Sequence, residues 1–314
     1  MTQIEARRLA ELDEVRQPSL AERGSRLMAW LGNAWHELRK SRTASIGAVM
    51  LALLFGACIA TPWLATQSPI KQNYRERLQP PSEKHLLGTD RMGRDIYSRL
   101  MWGGRRLVTI ALLAVTFGLC LGIPYGVLSG YFGGKVDTVA MRFIDGLLAM
   151  PGLLFYLLIV TLAREWKLEG IANDLVLVFA LGFAFMPEVA RLSRASVLAE
   201  KQKEYVEASR AVGDGSLAIA LRQILPNIVS PLIVNATVRL GYVILIVAAL
   251  SFLGLGTPPP TPDWGSDLAA ARDYMETAPL IAAFPGLAIC YTVLAFNLFG
   301  DGLRDILDPR LAER

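Results

Sequence analysis

Side chains that could carry chemistry are scarce in this sequence. Its 314 residues include three cysteines and two histidines, and neither histidine belongs to an HExxH or similar metal-ligand pattern. Cys58, Cys120 and Cys290 each lie inside a hydrophobic run, which favours inert packing residues over a disulfide framework or a metal site. We therefore expect no metal site.

Motifs for nucleotide binding and for nucleophilic catalysis are absent as well. Gly134-Lys135 is not a phosphate-binding loop, because Ser129 stands where that loop needs a glycine and Val136 follows the lysine. Ser129 has Val127 two residues before it, so the sequence has no GxSxG turn. We expect no catalytic residues and no bound cofactor, and hence a chain that is not an enzyme.

Charge is also scarce. Only 19% of the residues are charged, against about 25% in a typical soluble domain, while 53% are hydrophobic and the mean hydropathy is +0.38. Three runs of roughly the 20 residues that cross a hydrocarbon core carry no charge, namely 44–65, 107–134 and 278–300. The composition predicts an all-α integral membrane protein that contacts membrane lipid.

Hydrophobic runs separated by polar stretches predict six transmembrane helices. They cover about 44–65, 107–131, 138–163, 172–190, 228–256 and 278–300. The chain then divides into an N-terminal segment 1–43, a first span with a polar segment over 44–106, a five-helix core over 107–300 containing the loop 191–227, and a charged tail 301–314. The N-terminal segment suits either an amphipathic helix on the membrane surface or an ordinary solvated lead-in. Close helix packing is expected in the second span at Gly118, Gly122, Gly126 and Gly130.

The distribution of basic residues predicts the orientation. Six spans place both termini and the loop 191–227 on one side, where the N-terminal segment carries eight Lys/Arg and the loop carries six. We therefore expect cytoplasmic termini and a cytoplasmic loop, although the segment between the first two spans, placed outside, holds nine Lys/Arg. This orientation accounts for the net charge of +4 without nucleic acid, for which no basic face with interleaved aromatics is present.

The central loop predicts a helix-turn-helix. Its first run, Glu204–Val212, ends at Gly213, which suits the left-handed residue that closes such a helix. A second run is expected to begin with Asp214 or Ser216 as its cap and to end at Pro226. One face of the first run carries Tyr205, Ala208, Ser209 and Val212, and the small side chains at 208, 209 and 211 would let another surface approach the backbone closely. Such a pair of helices is either a docking element or a hairpin that packs under its own bundle.

Ionisable residues within the predicted spans are few: Asp145, Glu188, Arg191 and Arg239. Arg239 is near the middle of the fifth span, where an unpaired charge costs about 2.5–3.5 kcal/mol. It is a candidate pathway residue that attracts a substrate carboxylate, and the alternative is an internal ion pair with Glu188 or Asp145. The scarcity of buried acids argues against a proton-coupled carrier.

Several motifs are specific enough to name a family. Glu207-Ala208-Ser209, followed by Gly213 and by Ile224-Leu225-Pro226, resembles the EAA motif of ABC-importer permeases, with Ser209 in place of the second alanine. Three further stretches look like the C-type permease of the dipeptide/oligopeptide/nickel importer family. They are HLLGTDRMGRDIYSRL from His85, LSFLGLGTPPPTPDWG from Leu250 and LAFNLFGDGLRDILDPR from Leu294.

The resemblance implies a type I ABC importer permease fold and a passive subunit that forms half of a translocation pathway. The implied partners are a homologous B-type permease, two cytoplasmic ABC ATPase subunits that bind the ATP, and an extracytoplasmic substrate-binding protein. The implied location is the bacterial inner membrane. The segment 204–227 would then couple to an ATPase through Tyr205, Glu207, Ala208, Ser209, Gly213, Ile224, Leu225 and Pro226.

The resemblance also singles out two outer segments, 88–95 and 258–265. Asp90, Asp95 and Trp264 in these segments are candidates for an outer gate or for contact with the binding protein, and a purely structural role is the alternative. The family carries dipeptides, longer peptides, glutathione, antimicrobial peptides or nickel, so the motifs do not name the cargo. A self-sufficient ion-coupled secondary carrier is the rival interpretation.

Overall fold

The computed structural model describes residues 41–164 and 171–307. The predicted amphipathic helix and the end of the tail lie outside the described residues. Within them the chain is helical, with one isolated antiparallel bridge between Thr89 and Asp95 and no strand. The helices are α1 (Arg42–Leu64), α2 (Ile96–Phe132), α3 (Gly134–Leu148), α4 (Gly152–Arg164), α5 (Ile171–Glu200), α6 (Glu204–Val212), α7 (Leu225–Phe252), α8 (Trp264–Ala271) and α9 (Pro279–Leu307).

Five helical stretches of the described chain are long and apolar enough to cross a membrane. They are Arg42–Leu64, Ile96–Phe132, Ala172–Glu200, Ser216–Phe252 and Pro279–Ile306. The third predicted span, 138–163, is instead formed by two shorter helices, α3 and α4, which meet around Pro151. Proline lacks an amide hydrogen and disfavours a helical residue before it, which explains the break.

Helix α2 begins at Ile96, well before residue 107, where the second span was expected to start. The boundary drawn at residue 106 therefore falls inside a continuous helix. Arg99 and Arg106 suggested a polar segment, but each forms an ion pair, with Asp267 and Asp174 respectively. Pairing lets the helix carry these arginines without ending.

Helix α5 likewise continues to Glu200, beyond residue 190, where the fourth span was expected to end. Arg191 and Arg194 remain in the helix because each pairs with an acid of α3, Asp145 and Asp137 respectively. The pKa of Asp137 is lowered to about 2 because Arg194 donates hydrogen bonds to its carboxylate. This pair therefore stays charged at physiological pH, and the central loop begins only after α5 ends.

Helices α2 and α5 approach each other closely, as the glycine spacing predicted. A Cβ atom added at Gly122 would lie 2.6 Å from the Cβ of Val189, and one added at Gly126 would lie 2.3 Å from the carbonyl oxygen of Ala190. Similar contacts of 2.7 Å and 3.0 Å would arise at Gly118 and Gly130. The two backbones are therefore as close as glycine alone allows.

Helix α9 joins the bundle on two sides. A Cβ atom at Gly47 of α1 would lie 2.4 Å from the Phe299 nitrogen, and one at Gly241 of α7 would lie 2.9 Å from the Asn297 side chain. The Tyr291 hydroxyl also donates a hydrogen bond of 2.9 Å to a carbonyl of α1. These contacts fix α1 and α7 relative to each other.

The variant Gly126→Ala tests the contact between α2 and α5. The added methyl group has no room beside the Ala190 carbonyl, so we expect the purified protein to lose about 1–3 kcal/mol of stability. Gly146→Ala in α3 is the matched control, because a Cβ there meets nothing within 4 Å. Thermal unfolding in detergent should show a lower melting temperature for the first variant alone, and equal melting temperatures would contradict the packing.

Candidate functional site

Helix α6 spans Glu204–Val212, the bounds that the sequence predicted. It ends at Gly213, whose φ of 94° lies in the left-handed region, also as predicted. The Gly213 amide donates to the Arg210 carbonyl at 3.1 Å and closes the helix. We call α6 and the turn 213–215 the handle.

The second run of the central loop differs from the prediction. Gly215, not Asp214 or Ser216, is the residue at its N-terminal cap, and no side chain caps it. Pro226 does not end the run either, because a π-helical stretch, Ile219–Ile224, continues directly into α7. Pro226 lies in the first turn of α7, where a missing amide hydrogen is tolerated. The handle is therefore joined to a transmembrane helix without an intervening loop.

One face of α6 packs on the bundle. Val206 is 0% exposed, and the Tyr205 hydroxyl donates to Glu200 at 2.9 Å and accepts from Asn227 at 3.2 Å. Because Glu200 belongs to α5 and Asn227 to α7, this face connects α6 to both helices. The buried cluster around Val206 contains Val127, Val197, Ile219, Ala220, Ile224, Ile228 and Leu232.

Gln223 ties α6 to the turn that follows it. The Ser209 hydroxyl donates to Gln223 Oε1 at 2.7 Å, and Gln223 Nε2 donates to Asp214 Oδ2 at 3.1 Å. Ser209 is the residue that departs from the EAA pattern, and its hydroxyl makes a hydrogen bond that alanine cannot make. The departure therefore strengthens the attachment of the helix.

The other face of the handle is open. Its exposed residues include Glu207, Ala208, Ala211, Val212 and Gly213, and Leu217 and Leu221 of the following run are exposed as well. Val212 is 85% exposed, although it belongs to the same predicted face as Tyr205 and Ser209, which turn toward the bundle. Of the two alternatives drawn from the sequence, packing under the bundle holds for one face of α6, and docking by the exposed face stays a prediction.

Two ion pairs lie one helical turn apart along α5. Arg239, near the middle of α7, pairs with Glu188, and Arg191 pairs with Asp145 of α3. The Arg239 guanidinium carbon also lies 5.4 Å from the centre of the Tyr242 ring. Of the two partners considered for Arg239, the structure has Glu188. A role for Arg239 in the pathway stays a prediction.

Residues 65–95, the loop 253–263 and α8 form a cap at the end of the bundle opposite the handle. Asp90 accepts a hydrogen bond of 2.6 Å from Arg94, and the Trp264 indole donates to the Leu100 carbonyl at 2.7 Å. Asp95 caps α2 by accepting from a backbone amide at 2.8 Å. All three predicted outer residues have partners within the chain and hold the cap together. Direct contact with a binding protein stays a prediction for each.

Arg99 connects the parts of the cap, a role that the sequence did not reveal. It is 3% exposed, and its Nε donates to Asp267 of α8 at 3.1 Å. Its Nη1 donates to the carbonyls of Pro69 and Pro260, both at 3.0 Å. Burial raises the pKa of the Asp267 carboxyl, and Arg99 opposes this shift. The partners are far apart in the sequence, so the only signal was an arginine at the edge of an apolar run.

The variant Arg99→Gln should destabilise the cap. It leaves the Asp267 carboxylate buried without its cation, which costs about 3–5 kcal/mol. Thermal unfolding followed by tryptophan fluorescence should show an early transition, and Arg99→Gln/Asp267→Asn should recover part of the loss. Arg91→Gln changes an exposed residue of the cap and is the control. A melting temperature for Arg99→Gln equal to that of the control would rule out the connecting role.

A cavity of about 800 Å³ opens at the cap, a size typical of small-molecule sites. Its lining carries both signs of charge and includes Arg91, Arg94, Arg99, Asn173, Thr257, Asp267 and Asp273. Over residues 41–164 and 171–307, no group of three His, Cys, Asp or Glu residues is placed to hold a metal ion.

The sequence matches two known protein families. A family of binding-protein-dependent transport system inner membrane components matches residues 122–313, more than half of the chain. The chain belongs to this family. The N-terminal transmembrane domain of oligopeptide transport permease C matches residues 30–81 in addition.

Individual relatives in this family are similar over nearly the whole chain. The di/tripeptide transport system permease protein DppC of Pseudomonas aeruginosa is 41% identical over 283 residues, covering 88% of this chain and 91% of the relative. The dipeptide transport system permease protein DppC of Haemophilus influenzae is 39% identical, covering 89% and 94%. The glutathione transport system permease protein GsiD of Escherichia coli is 39% identical, covering 88% and 89%.

Solved structures agree on the fold. A chain of the methionine ABC transporter MetNI, in an inward-facing conformation, superposes with a TM-score of 0.55 at 18% identity, covering 67% of this chain and 97% of that chain. The fold is that of a type I ABC importer permease. The prediction of an all-α membrane protein is confirmed, with the third of its six predicted spans divided between α3 and α4.

This permease is a non-catalytic, multi-pass membrane subunit of an ABC importer, and ATP is hydrolysed on separate subunits. An importer of this kind works with ATPase components and with substrate-binding components. The self-sufficient secondary carrier is not favoured, because family, relatives and fold all agree on the importer.

Proposed function

We propose that this permease imports di- and oligopeptides or related solutes and that its handle docks into an ATPase subunit. Relatives named for dipeptides, di/tripeptides and glutathione support the cargo class. The two-sided handle supports docking, because Val206 is fully buried while Val212, on the other side of the same helix, is 85% exposed.

A docking element transmits movement only if it is fixed to the parts that it moves. The handle is fixed at two points, through the Tyr205 hydrogen bonds and through the Gln223 side chain. Lys201, just before α6, adds a hydrogen bond of 2.9 Å to the Gly130 carbonyl of α2. A displacement of the handle therefore moves α2, α5 and α7 together.

The coupling residues named from the sequence divide into two groups. We assign contact with the ATPase to the exposed ones, Glu207, Ala208, Gly213 and Pro226. We assign attachment of the handle to the less exposed ones, Tyr205, Ser209, Ile224 and Leu225.

The proposed orientation has the handle and both termini in the cytoplasm and the cap outside, in the inner membrane of a bacterium. The nine Lys/Arg between the first two spans appeared to oppose it. Four of them, Lys84, Arg94, Arg99 and Arg106, form ion pairs within the chain. Because Asp and Glu contribute little to the rule, these pairs leave the Lys/Arg count unchanged, and the proposed orientation rests on the larger total carried by the N-terminal segment and the central loop.

The proposed complex contains a homologous B-type permease that completes the pathway and two ATPase subunits. An extracytoplasmic binding protein delivers the cargo at the cap. Asp90, Asp95 and Trp264 contribute to that encounter by fixing the shape of the cap, since their polar atoms already have partners.

The cargo class is tested with the complete importer in lipid nanodiscs. In the presence of its binding protein, a dipeptide such as Ala-Ala or a tripeptide such as glutathione should stimulate ATP hydrolysis. Nickel ions and free methionine serve as the comparison solutes. Stimulation by nickel or methionine without any response to peptides would contradict the proposed cargo.

Charge reversal at Glu207 tests docking. Glu207→Lys places the wrong charge on the exposed face of α6, so co-purification of the ATPase subunits should fall by about tenfold, as expected for the loss of one charge-assisted contact. Glu276→Lys, at an exposed position between α8 and α9, is the matched control and should leave the complex intact. An ATPase yield unchanged by Glu207→Lys would place Glu207 outside the interface.

Strain at the end of α6 tests transmission. Gly213 has φ of 94°, a conformation that a β-branched residue adopts only with strain, whereas Gly215 has φ of −65°. Gly213→Val should therefore shift the handle and lower the number of peptides imported per ATP, with membrane insertion intact. Gly215→Val, in the same turn, should preserve the geometry of the handle. Normal uptake per ATP in Gly213→Val would argue against the handle as the coupling element.

A further inference from the structure

We propose that the ion pair Glu188–Arg239, with Tyr242 beside it, is a binding site inside the membrane for the charged termini of a peptide in transit. The pair links α5 to α7 near the middle of both helices. This proposal rests on the proposed peptide cargo and adds a specific site to it.

The placement of the pair indicates which face of the bundle meets water. An ionised side chain near the bilayer centre is tolerated where it faces the bundle interior or a water-filled cavity. The Glu188 and Arg239 side chains are 38% and 30% exposed in the isolated chain, so the bundle of this subunit alone does not enclose them. The face that carries them therefore lines the aqueous path of the assembled importer.

The charged positions of α5 form a stripe that continues from this pair toward the handle. Glu188, Arg191 and Arg194 follow at three-residue spacing, which places them along one side of the helix. Each pairs with a neighbouring helix, Glu188 with α7 and both arginines with α3. By contrast, exposed residues in the first half of α5 include Leu175 and Phe179. The stripe extends the polar surface from the middle of the bundle to its handle end.

The chemistry of the pair matches both ends of a short peptide. The Glu188 carboxylate complements the terminal ammonium, and the Arg239 guanidinium presents the planar fork that binds carboxylates. The ring of Tyr242 lies 5.4 Å from the Arg239 guanidinium carbon and offers an aromatic face to whichever cation lies there. When empty, the two residues neutralise each other. A zwitterionic peptide replaces this one ion pair with two, its ammonium with Glu188 and its carboxylate with Arg239. The net charge of the site stays unchanged.

The two helices that carry the ion pair connect the binding site to the handle. Helix α5 ends at Glu200, which accepts a hydrogen bond from Tyr205 of the handle, and Asn227 near the start of α7 donates one to the same hydroxyl. A peptide that separates Glu188 from Arg239 removes a link between these two helices. The presence of cargo at mid-membrane is thereby transmitted to the handle.

The test combines a change in the protein with a change in the cargo. The complete importer is reconstituted with its binding protein, and uptake is measured at cargo concentrations that saturate the binding protein. The cargoes are a dipeptide with free termini, the same dipeptide with an amidated C-terminus and the same dipeptide with an acetylated N-terminus. Any preference of the binding protein is the same for every permease variant, so it cancels in the comparison.

We expect amidation to slow uptake by the native permease by about tenfold, as for the loss of one charge-assisted hydrogen bond. In Arg239→Gln the two cargoes should be taken up at rates within about twofold of each other, because the partner of the carboxylate is gone. Glu188→Gln should remove the effect of N-terminal acetylation in the same way. Glu188→Gln/Arg239→Gln leaves no unpaired charge, so it provides the measurement if a single variant fails to fold.

Arg106→Gln is the matched control, since it breaks an arginine–aspartate pair between α2 and α5 at the other end of α5. It should retain the full amidation effect. If amidation slows uptake by Arg239→Gln and by the double variant as much as it does in the native permease, the pair is only a structural link. That result would contradict the proposed binding site. Failure of the native importer to take up any peptide would instead contradict the proposed cargo.

Discussion

The close approach of α2 and α5 is the constraint on which the other features depend. Four glycines of α2 let the two backbones meet, and side chains at those positions would collide with α5. The first turn of α2 carries Arg99, which holds the cap, and its last turns support the handle through the Gly130 carbonyl. Helix α5 carries the charged stripe and ends beside the handle. Separating these helices would disconnect the two ends of the permease.

In the proposed coupling, the handle transmits work from ATP that is hydrolysed on separate subunits, so its mechanical properties matter more than its reactivity. One face of α6 is buried among aliphatic side chains and fixed by hydrogen bonds, and the other is open. A partner that grips the open face moves a rigid unit of three helices. The left-handed Gly213 and the direct continuation of the π-helical turn into α7 determine the angle at which this unit is presented.

Local patterns in the sequence were sufficient to predict the membrane character of the chain, the bounds of α6 and the left-handed conformation of Gly213. The ends of the spans were predicted less well, because Arg99, Arg106, Arg191 and Arg194 appeared to end hydrophobic runs. Each has an acidic partner distant in sequence, and pairing allows the helix to continue. The sequence also predicted that Pro226 ends a helix. It does not, because Pro226 falls in the first turn of α7, where a proline is tolerated, and the sequence does not show where that turn begins. Tertiary pairing is what the sequence alone does not display.

Site-specific cross-linking can show whether the open face of the handle contacts the ATPase. Cys58, Cys120 and Cys290 are replaced, a single cysteine is placed at Val212, and a photoactivatable maleimide is attached to it. In the complete importer we predict a cross-linked product between permease and ATPase, with none from a cysteine at the exposed Tyr74 of the cap. Cross-linked products with the ATPase from Tyr74 but not from Val212 would contradict docking of the handle into the ATPase.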